Sequence, residues 1–240
     1  MTHLKLSALV LALAGAMSSA QAAPVSYSFT AEVSSLSAYQ NGSSSDTPYA
    51  ELAGRHLALG EKLVGTLTYD ASSAQFAFDN DPSSPGTNYA YNVPTFKLEY
   101  TSESGGYSFS SSDPGFANVT DTAAFDSLSL ESAVFPVEQG AQLRSVSTLY
   151  FGDNSGTLFT SAAMPASINS LFPGLLAQSV LGGGITLLDG SAYFSYGARL
   201  TSFAPSAVSA VPEPETYMMM FSGLGLLGLA ARRTRRDANV

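Results

Sequence analysis

The sequence predicts an all-β fold, an antiparallel sandwich of jelly-roll type, flanked by an N-terminal signal peptide and one short C-terminal transmembrane helix. Three observations lead there. Apolar and polar residues alternate over several short runs, and clusters of turn formers separate those runs. The one helical pattern, Ile168, Leu171, Phe172, Leu175 and Leu176, has Pro173 inside it and predicts only a turn or short helix.

Residues 1–22 predict a signal peptide. Lys5 supplies the positive start, Leu6 to Met17 the apolar stretch, and Ala20-Gln21-Ala22 a small-x-small cleavage site. That implies the Sec export machinery and signal peptidase as partners, with a mature chain beginning Ala23-Pro24-Val25. Residues 23–200 then predict the sandwich. Val25, Tyr27, Phe29, Ala31 and Val33 share one face of the first strand, opposite Ser26, Ser28, Thr30, Glu32 and Ser34. The pattern recurs at Leu63 to Tyr69, at Phe96, Leu98 and Tyr100, at Leu128 and Leu130, and from Ala192 to Leu200. Less regular strands are expected at Tyr107 to Ser110, Leu143 to Phe151 and Ile185 to Leu188. Turn formers cluster at 41–46, 79–86, 111–115 and 153–156. The Ser- and Ala-rich stretch 201–210 reads as a linker.

Between Ala23 and Val211 there are 16 acidic and 5 basic residues, a net charge of −11. So acidic a surface repels phosphate backbones, which argues against nucleic acid as a partner. The chain has no cysteine and no tryptophan. Thiolate catalysis, iron–sulfur clusters and cysteine zinc sites are therefore excluded. His56 is the one histidine beyond the signal peptide.

Several motifs tempt. Gly223, Gly225 and Gly228 spell G-x-G-x-x-G, but inside an apolar run, where glycines serve helix–helix approach better than a dinucleotide. Gly152-Asp153-Asn154-Ser155-Gly156 faintly suggests a protease nucleophile loop with His56 upstream, and a hairpin turn explains it more cheaply. Asp79 and Asp81 could chelate structural calcium, though without EF-hand spacing, and no other metal or cofactor is expected. Tyr39, Tyr49, Tyr89 and Tyr91, in or beside turn-rich segments, could form a platform on which a glycan stacks. A hydrolase would need a carboxylate pair in a cleft, one of the two with a raised pKa, and no acid is marked for that role.

The last 30 residues are the most specific. Val211-Pro212-Glu213-Pro214 precedes Thr216, and an uncharged apolar run of 16 residues extends from Thr216 to Ala231. As a helix it measures about 24 Å, short against a bilayer core of about 30 Å but able to span with local thinning. Arg232, Arg233, Arg235 and Arg236 follow and should stay cytoplasmic, which puts everything before Pro212 across the membrane. Residues 211–236 resemble the PEP-CTERM sorting signal of Gram-negative, biofilm-forming bacteria. The resemblance implies an exosortase, a membrane transpeptidase, as transient processing partner. It also implies a transient inner-membrane anchor, then delivery to the outer envelope, cell surface or extracellular matrix. The sequence thus predicts an exported, non-enzymatic matrix or adhesion protein associated with exopolysaccharide or biofilm, with a glycan-binding module or, third, a secreted hydrolase as alternatives.

Overall fold

Alternation becomes strand along most of the described chain. The computed structural model describes residues 24–206, except residues 41, 82, 85, 113, 139, 167 and 169–177. The signal peptide, the apolar run and the sorting motif lie outside the described residues, as does most of the expected helical stretch 168–176. Among the described residues, no helix is long and apolar enough to cross a membrane.

The strands are β1 Val25–Gln40, β2 Ser43–Asp46, β3 Tyr49–Leu52, β4 Arg55–Ala58, β5 Lys62–Tyr69, β6 Gln75–Asp79, β7 Asn88–Val93 and β8 Phe96–Ser102. There follow β9 Ser108–Ser112, β10 Gly115–Asp121, β11 Asp126–Val134, β12 Val137–Glu138, β13 Ala141–Asp153, β14 Val180–Leu187 and β15 Tyr193–Pro205. A 3-10 turn at Ala71–Ser73 links β5 to β6.

The all-β, antiparallel expectation holds, but the strands join one sheet, ordered β6-β7-β10-β11-β13-β14-β15-β1-β5-β8-β9, rather than two. β12 and β2 attach to β13 and β1, and β3 pairs with β4 as a separate hairpin. The sheet has to curl. β7 and β8 lie next to opposite edges, yet only Pro94 and Thr95 connect them. Gly115, at the start of β10, completes the corner, since a Cβ there would sit 2.3 Å from the Phe96 ring. Curling wraps the apolar faces around one core, which contains Tyr27, Phe29, Leu63, Leu67, Leu98, Leu128, Leu130, Leu149, Phe151 and Phe194. The curl of a single sheet thereby gives the burial of a sandwich.

The expected inward face of β1 is buried from Tyr27 to Val33. A bulge at Ser34 then resets the parity, so that Val33 and Leu36 both point inward. β15 runs five residues into the stretch read as linker. Thr201 and Ser202 bond the Thr30 hydroxyl, and Phe203 stacks on Tyr27 at 4.8 Å. Pairing and aromatic packing there outweigh the linker-like composition. The Ser43–Asp46 run, read as turn, pairs instead with the far end of β1.

Two transverse rows cross the inner face. Ser132, Ser147, Gly183 and Tyr196 are in register on β11, β13, β14 and β15. The bare Gly183 lets the Tyr196 ring lie across β14, because a Cβ there would meet Tyr196 Oη at 2.5 Å. Tyr196 then reaches the Tyr100 hydroxyl, which donates to Ser147 Oγ at 2.9 Å. The second row, Asp121, Asp126 and Asp153 on β10, β11 and β13, sits where the chain leaves β13. Beyond it, residues 158–166 and Ile168 close one end of the core. Tyr91 donates to the Ala162 carbonyl at 2.8 Å, Tyr69 donates to that of Pro165 at 3.1 Å, and Tyr27 accepts from Ile168 N at 3.0 Å.

Candidate functional site

Beyond its bulge, β1 pairs with β2, and the chain turns at Thr47-Pro48 into β3. Thr47 fixes this turn by donating its hydroxyl to the Tyr49 carbonyl at 2.7 Å while accepting Tyr49 N at 3.3 Å. Two clefts flank Thr47. One, of about 390 Å³, is lined by Ala38, Ser43, Ser45, Thr47, Tyr49, Ala50 and Glu51. The other, of about 340 Å³, is lined by Ser34, Ser35, Leu36, Asp46, Thr47, Pro48 and Leu59. Both fall within the range usual for small-molecule sites, about 300–1,000 Å³.

Alternation along β3 buries Ala50 and turns Tyr49 and Glu51 outward together. Tyr49 is 47 % exposed, yet its hydroxyl donates to Glu51 Oε2 at 3.1 Å and its ring tilts against His56 at 5.8 Å. Partial desolvation, then the Glu51 carboxylate, raises the Tyr49 phenol above its ordinary value. It therefore remains a neutral donor at physiological pH. The linings contain two carboxylates, Asp46 and Glu51, and no Lys or Arg.

The four tyrosines picked from the sequence do not form one platform. Tyr39 stacks flat on Tyr193, with centroids 5.0 Å apart. Tyr89 and Tyr91 lie on β7, edge-on to Phe76. Tyr91 is buried beneath the 158–168 segment, so it cannot serve as a surface for a sugar. Of the four, Tyr49 lines the larger of the two clefts described.

Asp79 accepts the Asp81 and Gly86 N–H groups, and Asp81 accepts Ser83 N at 3.1 Å together with the Ser83 hydroxyl. Both carboxylates brace their own loop. Among the described residues no three His, Cys, Asp or Glu side chains gather as a metal site would need. The same Asp-x-Ser brace recurs at Asp70, Asp153 and Asp189, each holding the serine two residues on. That repeat was legible in the sequence. It assigns Ser155 to a turn: its hydroxyl bonds Asp153 and Thr157, whereas His56 packs on Tyr49 and Gly106.

Asp121 and Asp126 form a carboxylate pair. Partial desolvation, then the charge of Asp126, pushes the Asp121 carboxyl up. Asp126 is fully buried and holds three backbone N–H groups, those of Leu158, Phe159 and Thr122, at 2.6, 2.9 and 3.2 Å. Its geometry suits a brace for the segment that closes the core.

With this geometry in place, the chain defines itself as an acidic β-sheet domain that precedes a sorting segment. The family model described as PEP-CTERM protein-sorting motif matches residues 210–236. That segment, containing Pro212, Glu213 and Pro214, is a PEP-CTERM sorting motif, which implies export, membrane-associated sorting and processing by an exosortase. No curated protein and no solved structure matches the chain.

Proposed function

We propose that the exported protein is a non-catalytic structural or adhesion component of the outer envelope or extracellular matrix, associated with exopolysaccharide or biofilm. The observation that carries this reading is the sorting motif at 210–236 behind an acidic, disulfide-free β-domain. In this reading the run 216–231 is a transient inner-membrane anchor, and exosortase processing passes the domain outward. Fractionation of cells producing the tagged chain tests it. The shortened protein is expected with matrix polysaccharide and shed surface material. Recovery only from periplasm or inner membrane, or turnover of ester, peptide or glycan substrates that His56→Ala abolishes, would overturn the reading.

A second reading, a glycan-binding module, is favoured by the exposed Tyr49 ring over a hydroxyl-lined cleft.

A further inference from the structure

We infer that the paired clefts around Thr47 are a binding site for a neutral polysaccharide chain, with Tyr49 and Glu51 as its principal contacts. The inference deepens the glycan reading above by assigning the site and the ligand class.

Four features converge there. The first is a fixed aromatic face. Tyr49 is half exposed, but Glu51 anchors its hydroxyl and His56 backs its ring, so little side-chain freedom is left to lose on binding. Such a face suits the apolar C–H side of a pyranose ring. The second is the chemistry of the walls. Ser43, Ser45 and Glu51 line the walls with hydroxyl and carboxylate groups, to which sugar hydroxyls can bond, while the Thr47 hydroxyl is held by the Tyr49 backbone.

The third feature is charge. Neither lining holds a cation, both hold an acid, and the domain carries −11, so uronate or sulfate chains are repelled while uncharged sugars are not. The fourth is continuity. The two clefts share Thr47 in their linings, so a chain of several sugar units held at one lies beside the other. Leu36, Pro48 and Leu59 give the second cleft an apolar floor. An amine-bearing ligand would also welcome the carboxylates, but it would leave the exposed ring and the hydroxyl row without a matching partner.

The test uses the full chain, purified in a sugar-free detergent and run through native gels cast with dextran, mannan, galactan or alginate. Retardation is expected in at least one of the three neutral gels and not in alginate. Tyr49→Ala should weaken that retardation at least tenfold. Tyr49→Phe, which keeps the ring, should lose only severalfold, and Glu51→Gln should fall between. Phe78→Ser, which removes a half-exposed aromatic side chain from β6, should bind like wild type. Unchanged circular dichroism and unfolding midpoints establish that the variants fold. The inference is overturned by migration unaffected in all neutral gels, by stronger retention in alginate, by Tyr49→Ala binding like wild type, or by an oligolysine peptide binding the wild-type cleft more tightly than the sugars. A negative outcome leaves envelope sorting standing, because fractionation reads that separately.

Discussion

The Asp126 carboxylate accepts the backbone N–H of Leu158 at 2.6 Å. This bond, with those from Phe159 and Thr122, ties the exit of β13 to the β10–β11 turn and starts the segment that closes the core. A buried carboxylate is tolerated because three donors surround it.

Asp126→Ala should therefore lower stability by about 2–4 kcal/mol, since it strands N–H groups in a dry site. Asp126→Asn keeps one acceptor oxygen and should lose less. Urea unfolding monitored by circular dichroism measures both. An Ala variant within experimental error of wild type would remove the bracing role.

Gly183→Ala should cost about 1–3 kcal/mol through overpacking. The new methyl would fall 2.5 Å from Tyr196 Oη and 2.8 Å from the Val146 carbonyl, and the latter is backbone that cannot step aside. Pairing it with Tyr196→Leu removes the first clash and should recover part of the loss. Additive effects in the double-mutant cycle would show that ring and glycine are not coupled.

Stability should fall steeply in alkali. Burial holds the phenols of Tyr69, Tyr100 and Tyr196 above their ordinary value, and neighbouring tyrosines add to the effect. In the unfolded chain these groups ionise near about pH 10. Their contribution is thus intact below about pH 10 and is lost as pH climbs from there through the higher folded values. With no tryptophan in the chain, tyrosinate absorbance reads this directly. The buried phenols should ionise in one step together with the loss of β-sheet signal. Gradual ionisation of all 12 tyrosines with the sheet intact would contradict the buried cluster.

The acid limb should be shallow. Serine hydrogen bonds, from the Ser83 and Ser155 hydroxyls and the Ser191 backbone, hold Asp81, Asp153 and Asp189 below the usual carboxylate range. Their contribution is present above about pH 4 and fades as pH falls through the folded values. None of the three is buried, so solvent screening keeps it small.

Replacing Pro212, Glu213 and Pro214 with alanines should block sorting. Each proline locks its own φ and biases the residue before it away from helix, a restraint that three alanines would remove. The triple variant should accumulate in the inner membrane, shortened only by its signal peptide. Release of that variant at wild-type size would contradict exosortase recognition of the motif.

Strands whose alternation meets one buried face, such as Tyr27 to Val33 or Phe96 to Tyr100, were legible in the sequence because period two is a direct image of half-burial. The β3–β4 hairpin was not. Its two-residue turn places Ala53 at φ 52° and Gly54 at φ 78°, and an alanine in the left-handed region gives no compositional warning. β2 was hidden too, since Ser43–Asp46 is exposed throughout and is strand only because β1 continues alongside it. Strand order was beyond reach, because periodicity fixes faces and not neighbours. Tyr49 could be picked out as an aromatic near turns, whereas Glu51 gained its role only once alternation on β3 put it beside Tyr49. Tyr91 misled because its cover comes from residues some 70 positions away.

The long β1–β15 pair has a mechanical consequence. Tyr39 faces Tyr193 at one end and Tyr27 faces Pro205 at the other, about 40 Å away. The Thr47 clefts adjoin the first end, and the chain departs toward its sorting signal from the second. A polymer gripped at the clefts and a pull applied lengthwise at Pro205 would load β15 against β1 along its whole length and against β14 from Tyr193 to Arg199. Ladder bonds on both flanks then strain in parallel instead of peeling one after another. A lengthwise pull at Pro205 meets the sheet in shear, its most resistant direction.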